Sequence, residues 1–347
     1  MFNRDIGIDL GTAVVLVYVK GKGIVLREPS VVAVNNGNKK VIAVGEEAKV
    51  TIGRTPGNIT AVRPLRDGVI ANYTMTRAMI SYFMKRVLTG FEKFSRHRLV
   101  VGVPSGATDV ERRAALEAAV AAGAGEAYLI EEPLAAAIGA GLPVADPIGS
   151  MIVDIGGGTT DIAVISLGGI VEGRSLRVAG DKFDAAIAHF IKQKYHMEVG
   201  DQTLEALKKE IATVEKGILP DTSKKDIRGR DTISGLPVQV TITSDDLREA
   251  LNEPIDQIIQ AVKQVFQNTA PELASDILDR GILLSGGGAN LIGLPERIKR
   301  ETGVYAYVAE DSNDCVVKGT GKVLESLDFF SRCGAIYSGS SSNYMKY

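Results

Sequence analysis

Two aspartates each close a short apolar run and are followed by a glycine-threonine turn: Asp9-Leu10-Gly11-Thr12-Ala13 and Asp154-Ile155-Gly156-Gly157-Gly158-Thr159. A turn without Cβ atoms lets the backbone approach a polyphosphate closely, and its free N–H groups supply anion-binding donors. Carboxylates beside such phosphates suit Mg²⁺, a hard cation that keeps several of its waters, so Asp9 and Asp154 are expected to reach it through water. One such run is an ordinary strand-turn signal. Two in matching contexts read as facing hairpins that pinch one triphosphate. The commoner phosphate loop is absent, because Gly319-Thr320-Gly321-Lys322 does not fit the G-x-x-x-x-G-K-[ST] spacing.

Three further groups could serve the same ligand. Glu131-Glu132-Pro133 ends a strand and opens an alanine-rich helix. Its carboxylates either favour the helix N-terminus electrostatically or, if that end faces the cleft, orient an attacking water. Glu205 and Lys208 share a helix face at i, i+3, either as a solvated ion pair or on a ribose. Gly286, Gly287, Gly288 and Ala289 form a strand-to-helix turn with a flat surface on which a base could lie.

The elements that carry these residues are repeated. Residues 6–10 and 14–19 read as strand, tight turn, strand, with a third strand around Gly23; residues 151–155 and 162–165 repeat the plan, with a third strand around Gly169. In each half a later strand, 99–103 or 281–284, runs into a small-residue loop and a helix, expected at 109–122 and 291–301. Thr108 and Glu111 form a capping box for the first of these. Two halves with one plan imply a duplicated α/β domain with the ligand in the cleft between them. Residues 33–66 read as a small strand-and-turn insertion. Residues 182–246 form a second insertion, with a helical pattern over 183–195, an amphipathic stretch over 203–216 and strands near 238–243. The Ser-, Gly- and Tyr-rich stretch 334–347 reads as a disordered tail.

A chain of 347 residues is longer than one core usually supports, in keeping with that duplication. With 40 basic and 42 acidic residues it has no electrostatic footprint for nucleic acid. The two cysteines and three histidines show no zinc spacing, and no run of about 18 apolar residues exists to span a bilayer. The expected setting is cytoplasmic.

Taken together, Asp9-Leu10-Gly11-Thr12, Glu132-Pro133, the run from Asp154 to Asp161, Glu205 with Lys208, and Gly286 to Ala289 resemble the actin/Hsp70/sugar-kinase ATPase superfamily. Within it the chain is similar to the MreB/Mbl family of bacterial actins over residues 5–324, including the stretches 21–33, 53–58, 66–71 and 271–277 outside the nucleotide motifs. The resemblance implies duplicated ribonuclease-H-like (actin-like) domains with a subdomain inserted in each half. The four subdomains are expected at 1–32, 67–145 and 316–333 (IA), 33–66 (IB), 146–181 and 247–315 (IIA), and 182–246 (IIB). It implies ATP and Mg²⁺ as ligands, with Gly11, Thr12, Ala13, Val14, Gly156, Gly157, Gly158 and Thr159 on the phosphates. It also places Asp9 and Asp154 around the metal and its water, Glu205 and Lys208 on the ribose, and Gly286 to Ala289 by the adenine. Glu132 and Thr159 become the residues that act on the hydrolytic water. One departure stands out: the family usually has asparagine where this chain has Val14, which removes an amide near the phosphates.

Family behaviour further implies antiparallel double filaments on the inner face of the cell membrane, with the morphogenetic membrane proteins of cell-wall elongation as partners. The membrane contact is expected at Leu88, Phe91 and Phe94, ringed by Lys85, Arg86, Lys93, Arg96 and Arg98. Each basic residue held near an anionic surface contributes about 1 kcal/mol, and a filament would multiply many weak tips by avidity. The rival class is a sugar- or acetate-type kinase with the same core, which needs an aspartate base aimed at a substrate hydroxyl. A chaperone ATPase is disfavoured, since little chain remains for a peptide-binding domain.

Overall fold

The computed structural model describes residues 5–53, 57–88, 97–220 and 223–340. The first half opens with three antiparallel strands, β1 (Asp5–Leu10), β2 (Val14–Val19) and β3 (Gly23–Pro29). An inserted sheet follows: β4 (Val32–Asn35), β5 (Val41–Val44), the short α1 (Glu46–Lys49) and β6 (Ile59–Val62). After the hairpin β7 (Leu65–Arg66) and β8 (Val69–Ile70), the chain continues through α2 (Tyr73–Val87), β9 (His97–Val103), α3 (Asp109–Ala121), β10 (Ala124–Glu131) and α4 (Glu132–Ala140).

The second half repeats the opening with β11 (Ser150–Ile155), β12 (Thr160–Ser166) and β13 (Gly169–Leu176). Its insertion carries α5 (Gly180–Tyr195), β14 (Met197–Glu198), α6 (Asp201–Glu210), β15 (Lys224–Asp231) and β16 (Pro237–Thr243). Then come α7 (Ser244–Asn268), α8 (Pro271–Arg280), β17 (Ile282–Ser285), α9 (Leu294–Thr302), β18 (Ala306–Val308), α10 (Cys315–Val323), α11 (Leu327–Arg332) and β19 (Ile336–Ser340).

The two large sheets have the same strand order: β3-β2-β1-β9-β10 in the first half and β13-β12-β11-β17-β18 in the second. In both, the first three strands are antiparallel, and the fourth and fifth run parallel to the first. The sequence duplication is therefore a structural one, and the glycine turns lie at the ends of β1 and β11, where each sheet changes the direction of its connections.

Burial on both faces explains why the central strands are apolar throughout. Met151, Val153 and Ile155 point into the core beneath α5 and α7, whereas Ile152 points into a separate core shared by the two halves. That shared core is built on α4 and α10, the helices that follow the fifth strand of each half. Their backbones touch: a Cβ on Gly139 would stand 2.7 Å from the Cys315 carbonyl carbon, and one on Gly319 would stand 2.5 Å from that of Ala135. Lys322 donates from Nζ to the carbonyls of Ile138 and Gly139 at 2.9 and 3.1 Å, satisfying the C-terminus of α4.

The capping box at α3 forms as expected, with the Thr108 hydroxyl accepting from Glu111 N–H and the Glu111 carboxylate accepting from Thr108 N–H. One expectation needs correction. The tail expected at 334–347 contributes a strand: β19 pairs antiparallel with the edge of β10, and Arg112 stacks on Tyr337 at 4.5 Å. The amphipathic stretch 203–216 is helical only as far as Glu210, because Thr213 is drawn into a parallel bridge with Ile292 and Val214 N–H bonds to the Ile292 carbonyl.

Candidate functional site

The two glycine turns meet across the cleft. A Cβ on Gly157 would stand 2.9 Å from the Ala13 Cβ, and one on Gly158 would stand 2.8 Å from the Gly68 nitrogen. Any side chain there would push the halves apart. The Thr12 hydroxyl accepts from Gly68 N–H at 2.9 Å, and the second turn is closed by Gly156 N–H donating to the Thr159 carbonyl at 2.9 Å. Asp181 N–H at the start of α5 donates to the Gly157 carbonyl at 2.8 Å, which anchors the turn to a helix N-terminus. Val14 is 38% exposed, so no packing demand replaces the missing amide.

Asp154 is buried, and its Oδ1 accepts from the Ser285 hydroxyl at 2.6 Å. Glu132 is buried at the first turn of α4, over Gly102, where a Cβ would lie 3.3 Å from its Cγ. Thr159 is buried as well. Burial, joined by the charges of Asp154 and Asp314, pushes the Asp9 carboxyl up to about 8, and burial takes Asp154 to about 6 against the Ser285 bond. Glu132 is raised well above the usual carboxylate range by burial and by the charges of Asp9, Asp161 and Asp154. Among the described residues neither Asp9 nor Asp154 pairs with a cationic side chain. Two repelling carboxyl groups, Asp154 buried and Asp9 half-buried, fit a divalent cation, whose oxygen preference and charge answer both needs.

This has a pH signature. A carboxyl with a raised folded-state pKa binds its proton more tightly folded than unfolded, so the stability it contributes is full below about pH 4 and is lost as pH rises through the folded value. For Asp154, Asp161 and Asp9 those values are about 6, 7 and 8. Carboxylates held low, such as Glu198, Asp231 and Asp246, lose their contribution only as pH falls below the ordinary carboxylate range. The ligand-free protein should therefore melt at steadily lower temperature from pH 5 to 8.5, with the slope flattened by Mg²⁺ and ATP. Melting curves across that range check it, and a flat or rising ligand-free profile would refute it.

The MreB/Mbl protein family model matches residues 3–332. This chain belongs to the MreB/Mbl family. The cell shape-determining protein Mbl of Bacillus subtilis (strain 168) is 51% identical over 331 residues, covering 94% of this chain and 98% of that protein. The crystal structure of MreB5 of Spiroplasma citri bound to ADP superposes with a TM-score of 0.88 at 38% identity, covering 95% of this chain and 98% of that one. The same protein bound to AMPPNP gives 0.89 at 37%, covering 96% and 99%. The architecture is thus actin-like, and the chain is an actin-like cytoskeletal protein of that family.

Other expected site residues take varied places in this MreB/Mbl chain. Lys208 reaches the first turns of α5, donating to the Gly180 carbonyl at 3.1 Å and to Asp184 Oδ2 at 2.8 Å. Glu205 instead accepts from Lys209 and faces Lys49 of the first insertion at 3.9 Å. The two thus part company despite sharing a helix. The glycines at 286 and 288 have a packing reason of their own, since a Cβ at either would collide with Ile155.

Leu88 is corrected: it is 7% exposed and packs into the first-half core with Phe83 and Met84, so it is not available to a lipid surface. Phe91 and Phe94 lie outside the described residues. Two of the cations expected around them are engaged within the molecule, Arg86 with Glu28 at 2.5 Å and Arg98 with both oxygens of Asp5. Among the described residues no helix is long and apolar enough to cross a membrane. Asp161, passed over in the sequence although it closes the second motif, stands in the middle of the site. Its gapless alignment with Leu16 was the available signal.

Proposed function

We propose that this chain binds Mg²⁺ and ATP between its halves, hydrolyses the ATP, and polymerises into antiparallel double filaments on the inner face of the cell membrane that direct cell-wall synthesis and rod shape. The observation that carries the nucleotide part is the meeting of Gly157 with Ala13: turns of matching sequence, on matching strands of two related sheets, oppose each other with backbone donors free of side chains. The nucleotides bound by MreB5 and the name of Mbl support the same reading.

In the proposed reaction a water oxygen bonds to the γ-phosphorus, the bond from that phosphorus to the β–γ bridging oxygen breaks, and ADP leaves with the electron pair. Glu132 and Thr159 orient the water. Mg²⁺, when bound by Asp9 and Asp154 through water, would neutralise those carboxylates, lower Glu132 toward its charged form, and offset charge on the phosphates. Excess glycine leaves the backbone to bind phosphate and the carboxylates to hold water.

The test is phosphate release from ATP and Mg²⁺ with no sugar or acetate present, together with electron microscopy on lipid. Phosphate release with paired straight filaments is expected. Turnover only with a hydroxyl or carboxylate acceptor, and no filaments, would replace this reading with the kinase one. Because Val14 lacks an amide, Val14→Asn should tighten ATP binding or change turnover, and indistinguishable affinity and rate would sink that idea. For the membrane, the Phe91→Ser, Phe94→Ser pair should abolish pelleting with anionic liposomes; normal pelleting would remove those side chains from the contact.

A further inference from the structure

Asp161 is the second residue of β12, a strand buried throughout, at a place where the fold asks for no charge. The halves align without a gap from Asp9 to Leu16 and from Asp154 to Asp161, so the counterpart of Asp161 is Leu16. The strand registers agree: Leu16 lies opposite Asp9, and Asp161 lies opposite Asp154. Both are buried, at 3% and 0% exposure. One half therefore spends this position on core packing, while the other holds a carboxyl group whose burial is costly unless it is fully bonded. Directly opposed residues share a sheet face, so Asp161 sits in a polar row with Ser285, Asp154 and Ser175.

Its bonding is incomplete. Oδ1 accepts Ser105 N–H at 2.9 Å, from the loop that joins β9 to α3 in the opposite half. The same loop presses on the second half at Gly106, where a Cβ would stand 2.8 Å from the Ser175 Cβ, and Glu111 faces Arg177 at 3.7 Å. Oδ2 is buried with no hydrogen-bond partner, and the Ser105 hydroxyl oxygen beside it is in the same condition. Buried polar atoms are rarely left so without a functional reason. The hydroxyls that favour its charged form are those of Ser175, its cross-strand neighbour, and, to a smaller degree, Thr159.

We propose that Asp161 is a positioning residue that ties hydrolysis to closure of the two halves: gripped at Oδ1 by Ser105, it accepts a hydrogen bond from the Thr159 hydroxyl at Oδ2 and so turns the Thr159 lone pairs toward the attacking water. No proton leaves Thr159. The role deepens the ATPase reading and rests on it.

Asp161→Asn keeps an oxygen for Ser105 N–H and replaces the Oδ2 acceptor with a donor, whereas Asp161→Leu copies the sister half and removes both. In steady-state phosphate release with ATP and Mg²⁺, Asp161→Asn should lower kcat on the order of 10²-fold with KM changed by less than about twofold. Asp161→Leu should lower kcat similarly and also raise KM, because the grip between halves is gone. Adding Asp161→Asn to Thr159→Ala should slow Thr159→Ala no further, as expected of a residue that works through that hydroxyl. A folded Asp161→Asn variant, judged by its melting curve, whose turnover matches the parent overturns the role of Asp161 alone, as do fully additive losses in the double variant. A parent chain that binds ATP and releases no phosphate overturns the ATPase reading itself, and this role with it.

Discussion

Gly319→Ala and Gly139→Ala should each destabilise the protein by about 3 kcal/mol or more, the upper end of what overpacking does, against a total of roughly 5 to 15 kcal/mol for a typical domain. The added methyl meets backbone, not a side chain that can rotate away: the Ala135 carbonyl carbon at 2.5 Å in one case and the Cys315 carbonyl carbon at 2.7 Å in the other. The contacts are reciprocal, each glycine lying four residues after the residue that the opposite glycine touches. Relief would require α4 and α10 to separate, and with them the core that holds Ile130, Leu134, Ile152 and Val316. Gly57→Ala, in open space at an ordinary backbone angle, is the control and should be nearly neutral. Denaturant titrations decide it, and midpoints for the two crossing variants equal to that of the control would show that the helices can part freely.

Glu132→Gln should remove turnover while leaving nucleotide bound. The amide keeps the shape and one acceptor oxygen but cannot become the charged group that orients water, a loss on the order of 10²- to 10⁴-fold in kcat. Binding should be equal or tighter, since Glu132 is repelled by three other acids around the cleft, Asp9, Asp154 and Asp161, and a neutral side chain lessens that repulsion. Single-turnover phosphate release and a nucleotide titration separate the two effects. A rate within a few-fold of the parent would move the water-orienting role elsewhere.

Much of this site was legible because duplication is a pattern a lone chain can reveal. Asp9 and Asp154 announce themselves through the gapless match of the motifs that follow them, and the sheets share one strand order as that match requires. What escaped was set by long-range contact. The alanines and glycines of α4 read locally as helix formers, yet Ala135 and Gly139 are small because another helix lies against them. Leu88 looked like the apolar rim of a basic loop, but it closes the core beneath α2. The composition around Tyr337 reads as a tail, and only the open edge of β10, with Arg112 waiting above it, makes a strand there. Asp161 was hidden by its company, a second acid in a motif that already had a use for the first.

The backbone contact between α4 and α10 also sets the mechanics. Two helices locked carbonyl against Cα cannot slide along each other, so relative movement of the halves reduces to rotation about that crossing, which serves as a fulcrum. Displacement then grows with distance from it. Two of the ion pairs that bridge the two halves, Arg63 with Asp181 at 3.2 Å and Lys49 with Glu205 at 3.9 Å, lie on the insertions and at the head of α5. A few degrees of twist that scarcely disturb the fulcrum would strain those pairs, so a small rotation at the crossing is read out as leverage at the far edge.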